Sequence, residues 1–139
     1  MGNIKFGAIM LSILLTSCFS NDDQEIMKST VSKYRENYNA MDFSKNYDIL
    51  SKGAKMEISS ERYRSDMSTV FEKMGKFERG EIATTDYTQK TADGRDTVVI
   101  TYDSNFSKGS AREVFIFIKG PKLYRYELSS KNLLEGARL

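Results

Sequence analysis

Tyrosines are the side chains of this chain best placed to do chemistry. Tyr34, Tyr38, Tyr47, Tyr63, Tyr102, Tyr124 and Tyr126 recur among apolar residues, and Phe115 and Phe117 lie near the last pair. Rings with hydroxyl handles can line an apolar pocket and orient a small ligand. The candidate lining is Tyr34, Tyr38, Tyr63, Tyr102, Phe115, Phe117, Tyr124 and Tyr126. The plainer reading, and the favoured one, is that these rings fill a small core that has no tryptophan. Four carboxylates, Asp66, Glu72, Asp86 and Asp103, are candidates for general acid or base work. Such a group needs a cleft and a perturbed pKa, and surface solvation is the simpler expectation. Arg62, Arg64, Lys73, Lys76 and Arg79 form a basic cluster that could face anionic lipid. Because Glu61, Asp66, Glu72 and Glu78 are interleaved with it, a mixed solvated face is expected.

Much chemistry is excluded by composition. The chain has no histidine and a single cysteine, so Cys/His zinc sites, Cys-His nucleophilic pairs and Ser-His-Asp triads cannot be built. No disulfide can hold the fold within one chain. No Asp-rich calcium loop is visible. Gly75 and Gly80 flank a strand start and open no helix, so nucleotide binding has no support. A formal net charge of +2 without a long single-sign run gives no electrostatic case for nucleic acid. No catalytic residue, metal or cofactor is expected. An enzyme working with a buried carboxylate and a tyrosine is the least favoured reading.

The lone cysteine has a distinctive setting. Residues 6–15 form an apolar run of about ten residues behind Lys5, the length of a signal-peptide core and half of a membrane span. Leu15-Thr16-Ser17-Cys18 follows, and the chain turns polar at Asn21-Asp22-Asp23-Gln24. The run resembles the lipobox of bacterial lipoproteins. That resemblance implies cleavage between Ser17 and Cys18, acylation of Cys18 and attachment to a bilayer through acyl chains. Two or three chains anchor stably where one alone is marginal. Plain secretion and a buried N-terminal helix are the alternatives. An unpaired thiol in an oxidising compartment speaks against the first, and the polar stretch after Phe19 against the second. Residues 1–17 are thus expected to be a signal peptide and 18–24 a lipidated cysteine with a tether. With residues 19–24 extended, the tether reaches about 20 Å. With Phe19 and no Asp after the cysteine, the expected place is an outer membrane, facing the periplasm.

The elements that position these residues can be read from periodicity. About 120 residues beyond the cleavage point suit one domain, expected over 25–130. Ile26, Met27, Thr30, Val31, Tyr34, Tyr38 and Met41 share one helix face, with Asp22 or Asp23 as N-cap. A second helix is expected from Asp42 or Ser44 to about Gly53. A third is capped by Ser59 or Ser60, carries Tyr63, Met67, Val70, Phe71 and Met74, and stops at Gly75. Past Gly75 the period shortens to 2. Strands are expected over 77–89, 97–102, 112–119 and from Leu123 to Leu128, with a turn at Ala92-Asp93-Gly94-Arg95 and a loop over 104–110. The unbroken apolar run of residues 114–118 predicts a strand covered on both faces. Residues 131–139 are expected to fray.

Helices followed by a meander give an α+β domain, with N-terminal helices packed on a curved four-stranded antiparallel sheet. Met41-Asp42-Phe43-Ser44-Lys45-Asn46-Tyr47-Asp48-Ile49-Leu50-Ser51 and Met74-Gly75-Lys76-Phe77-Glu78-Arg79 resemble the inter-helix and helix-to-sheet segments of cystatin-like and NTF2-like domains. The resemblance implies a sheet wrapped against a long helix, often around a cone-shaped pocket. Fold does not settle function. The leading expectation is a non-catalytic envelope binding domain for a small apolar ligand, a peptide or an envelope protein. The alternative is an inhibitor or immunity protein against a toxin or envelope enzyme.

Overall fold

The computed structural model describes residues 20–118 and 120–133, and the backbone of 137–138. The expected signal peptide and its Ser17-Cys18 cleavage point lie outside the described residues. The first helix, α1 (Asn21–Asn39), begins with a capping box. Ser20 accepts a hydrogen bond from the Asp23 N–H at 3.2 Å, and Asp23 accepts one from the Ser20 N–H at 3.2 Å. Asp23, expected as a cap, is therefore the reciprocal partner three places on. This corrects the tether as well. The helix starts at Asn21, so two residues separate it from Cys18, a lead of about 7 Å at most.

Met27, Val31, Tyr34 and Tyr38 form the buried stripe of α1. In place of the single second helix there are two, α2 (Phe43–Ile49) and α3 (Lys52–Glu57). Leu50 leaves the helix in an extended conformation and pairs with Leu123 in the sheet, and the Ser51 N–H donates to the Leu123 carbonyl at 2.8 Å. Ser51 then caps α3 through the Ala54 N–H. Burying Leu50 against the sheet outweighs continuing one helix. The last helix, α4 (Ser60–Met74), starts at Ser59 and stops at Gly75, whose φ is 71°.

The strands β1 (Phe77–Asp86), β2 (Thr97–Phe106), β3 (Gly109–Ile118) and β4 (Leu123–Ser129) form an antiparallel meander. A two-residue β5 (Ala137–Arg138) pairs with Glu127 and Leu128 at the outer side of β4. The architecture is α+β, helices then an open antiparallel sheet, in agreement with a cystatin-like or NTF2-like arrangement. Most of the polar stretch expected as a loop at 104–110 is strand. Ser104, Asn105 and Phe106 pair with Ala111, Ser110 and Gly109, leaving Ser107-Lys108 as the turn. The first strand ends at Asp86, where the carboxylate captures the Thr88 N–H at 2.7 Å and turns the chain. In β3, Glu113, Phe115 and Phe117 are buried while Val114, Ile116 and Ile118 are half-buried. That strand is therefore covered on one face, and the apolar run does not mean two. The tail is also partly fixed, since Leu133 is buried in the core and Ala137–Arg138 pair with β4.

The core lies between the helices and the inward residues Val98, Ile100, Tyr102, Phe106, Phe115, Phe117, Tyr126 and Leu128. Among the described residues no helix is long and apolar enough to cross a membrane.

Candidate functional site

Seven of the eight candidate lining residues pack against one another in this core. Tyr34, Tyr38, Tyr63, Tyr102, Phe115, Phe117 and Tyr126 are all buried. The Tyr34 ring centre lies 4.8 Å from Tyr126 and 5.6 Å edge-on from Phe115, and Tyr102 meets Phe115 at 5.7 Å. The hydroxyls of Tyr34, Tyr38, Tyr63 and Tyr126 find partners within the protein. The Tyr34 and Tyr63 hydroxyls are 2.6 Å apart, and the Tyr38 hydroxyl donates to the Gly75 carbonyl at 2.8 Å. Burial pushes the phenols of Tyr34, Tyr38, Tyr63 and Tyr126 above their ordinary range, and neighbouring Tyr63 adds to the effect at Tyr34. They are core residues. Tyr124 differs, since it is half-buried and borders a concavity of about 410 Å³ with Ile58, Arg62 and Arg125.

Two residues that the sequence reading passed over form the polar centre of the molecule. Arg35 of α1 donates to Glu113 Oε1 of β3 at 2.7 Å, and the side chains keep only 14% and 2% of their exposure. Ser104 donates to the same oxygen at 2.6 Å, and Tyr126 donates to Oε2 at 3.0 Å. The guanidinium is held between the rings of Phe77, at 4.1 Å, and Tyr102, at 4.3 Å, a cation–π arrangement that offsets lost hydration. Passage for Arg35 depends on Gly80, where an added Cβ would sit 2.7 Å from the guanidinium and 2.5 Å from Ser104 Oγ. Both Glu113 oxygens are engaged and the group is buried, so it has no route to a substrate proton. It is a structural clasp between helix and sheet. Its signal in the sequence is faint: Glu113 keeps step with Ala111, Phe115 and Phe117, and Arg35 lies one helical turn past Val31.

The four candidate carboxylates are surface groups or partnered ones. Asp66 pairs with Arg62 at 2.9 Å and Asp103 with Arg112 at 3.0 Å. Glu72 is exposed. Asp86 holds Thr88 and Gln89, and these hydrogen bonds lower its pKa. In the basic cluster Arg62 is neutralised by Asp66, while Arg64 donates to the Ser60 carbonyl. Among the described residues no group of three or more acidic or thiol side chains is set to hold a metal.

What remains is on the other side of the sheet. A polar groove of about 620 Å³ crosses its outer face near the β2–β3 turn. Arg79 and Glu81 of β1, Asp103 of β2, Arg112 of β3 and Lys131 after β4 border it, with Asn105 and several serines between. Beyond the Asp103–Arg112 pair, Arg79, Glu81 and Lys131 have no side-chain partner among the described residues. The groove can therefore offer charged donors, a carboxylate and hydroxyls to a polar ligand. Compared with known protein families, curated proteins and solved structures, the chain shows no match.

Proposed function

We propose that this chain is a lipid-anchored, non-catalytic binding domain of the bacterial cell envelope, on the periplasmic side of an outer membrane. Its groove on the outer sheet face would hold a peptide segment or an envelope protein. The outer groove is the observation that carries this reading, because Lys131, which has no side-chain partner among the described residues, stands there with the exposed Asp103–Arg112 pair and several serines. The filled aromatic core supports a polar rather than a small apolar ligand, and the engaged Glu113 supports binding rather than catalysis. The Leu15-Thr16-Ser17-Cys18 run supports the anchor, and the early start of α1 would keep the domain against the bilayer.

The test is capture of partners from the protein's own envelope, comparing the parent chain with Arg112→Ala/Lys131→Ala and with Cys18→Ser. The groove variant is expected to lose captured partner by about tenfold or more, the scale of 1.4 kcal/mol. Cys18→Ser is expected to lose fatty-acid labelling and leave the membrane fraction while still capturing the partner. Capture indifferent to the groove variant would overturn the binding site, and unchanged labelling would overturn the anchor.

A further inference from the structure

The first strand is an open edge. β1 lies at one end of the sheet order, and its residues from 81 to 85 are all exposed, Ile82 at 47%. An edge of this kind presents unpaired N–H and C=O groups and is a template for another strand. Two irregularities limit it. The pairing with β2 skips Glu78 and Ala83, so the regular run is Arg79-Gly80-Glu81-Ile82. Bulges and charges of this sort keep an edge from pairing indiscriminately.

That short run is complementary to itself. In a strand both backbone polar groups of a residue point to the same side, so directly opposed residues must match in direction. A strand pairing antiparallel with its own copy about an axis perpendicular to the sheet therefore has that axis at a residue, which faces itself. With the axis at Gly80, Arg79 of each copy lies opposite Glu81 of the other, on the same outer face. Opposite charges so placed stabilise a pair, and like charges destabilise it. An axis at Arg79 sets arginine against arginine, and one at Glu81 sets carboxylate against carboxylate. An axis at Ile82 leaves both charges unmatched and crosses the break at Ala83. With Gly80 at the axis, no side chain is set against its own copy on the inner face of the sheet.

We propose that the protein forms a two-fold dimer by antiparallel pairing of β1 with β1 of a second copy, centred on Gly80 and fixed by two Arg79–Glu81 ion pairs. Both residues lack a partner within the chain among the described residues, and the dimer supplies one to each. It also sets the two outer grooves side by side, since Arg79 and Glu81 border them. The pairing needs no anchor. Where copies share a membrane, their confinement raises the effective concentration and favours it.

Charge swaps test this on the full chain in detergent, by sedimentation over a concentration series with far-ultraviolet circular dichroism of each variant. The parent chain is expected to dimerise. Arg79→Glu and Glu81→Arg are each expected to raise the dimer dissociation constant at least tenfold, while R79E/E81R restores the parent value. An equimolar mixture of the two single variants is expected to form a heterodimer, because both cross-strand pairs are then opposite in sign. That arm also shows that each single variant is folded and competent. Copies sharing a micelle by chance would not respond to these charges. A monomeric parent chain, a dimer indifferent to the single swaps, or single variants that neither recover in the double variant nor pair when mixed would each overturn the proposal.

Discussion

Glu113 shows how a residue can be in plain view in a sequence and still escape notice. Acidic side chains are almost never fully buried unless paired, so Glu113 at the edge of an apolar strand reads as a surface group. Its partner is 78 residues away, and no local pattern announces such a pair. The aromatic positions of the first helix are easier, because period alone places Tyr34 and Tyr38 inward, whereas the unbroken run of residues 114–118 does not single out the face of Phe115 and Phe117. Removing one member of a buried pair leaves the other uncompensated, which typically costs about 3–5 kcal/mol. Glu113→Ala and Arg35→Ala are each expected to fall in that range in urea unfolding. Arg35→Met/Glu113→Leu is expected to be much less destabilised than the sum of the two single losses. A strictly additive double variant would sink the clasp.

At the level of elements, the starts of α2 and α4 at Asp42 and Ser59 and the final glycine stop were legible because caps are local, while the Ser20 cap of α1 and the separate α3 were not. Ser59 and Gly75 do their work within four residues. The β2–β3 hairpin was not, because Ser104 to Ser110 has loop composition and becomes strand only through cross-strand pairing. Leu50 is a similar case, since its helix break is explained by Leu123, far along the chain. Gly75 makes a sharp prediction. Its φ of 71° with ψ of −161° is a region open essentially to glycine, and a Cβ there would land on Ser107 Oγ. Gly94 also has positive φ, 84°, but nothing lies within 4 Å of its added Cβ. Gly75→Ala is expected to lower stability by about 2–3 kcal/mol, and Gly94→Ala by about 1 kcal/mol, the cost of backbone strain alone. Midpoints of urea unfolding at unchanged slope would show the difference. Equal losses would mean that the Gly75 contact relaxes freely.

For the whole molecule, the filled core ties stability to alkaline pH. Tyr34, Tyr63 and Tyr126 have phenols raised above the ordinary 10.0, burial being the largest cause in each. The unfolded chain releases these protons near pH 10 while the folded chain keeps them. Their contribution is thus fully present below pH 10 and is lost as pH rises beyond it, at up to about 1.4 kcal/mol per pH unit for each tyrosine. Alkaline unfolding is expected to be cooperative, with the phenolate absorbance of these three appearing together with loss of circular dichroism. Their ionisation in a still-folded protein would contradict the packing described.

The two edges of the sheet are not equivalent. The outer side of β4 is occupied at one end by Leu50 and Ser51, through the Leu123 pairing, and at the other by β5. β1 has no such cover along most of its length. Among the described residues the only long open edge is β1, because β5 at the other end of the sheet is two residues long. In terms of valency, each copy has one strand to give, and a strand spent on a partner leaves nothing of that length for a third. Assembly through strand addition therefore terminates at two, and the route from an exposed strand to a growing fibre is closed by the far side of the sheet.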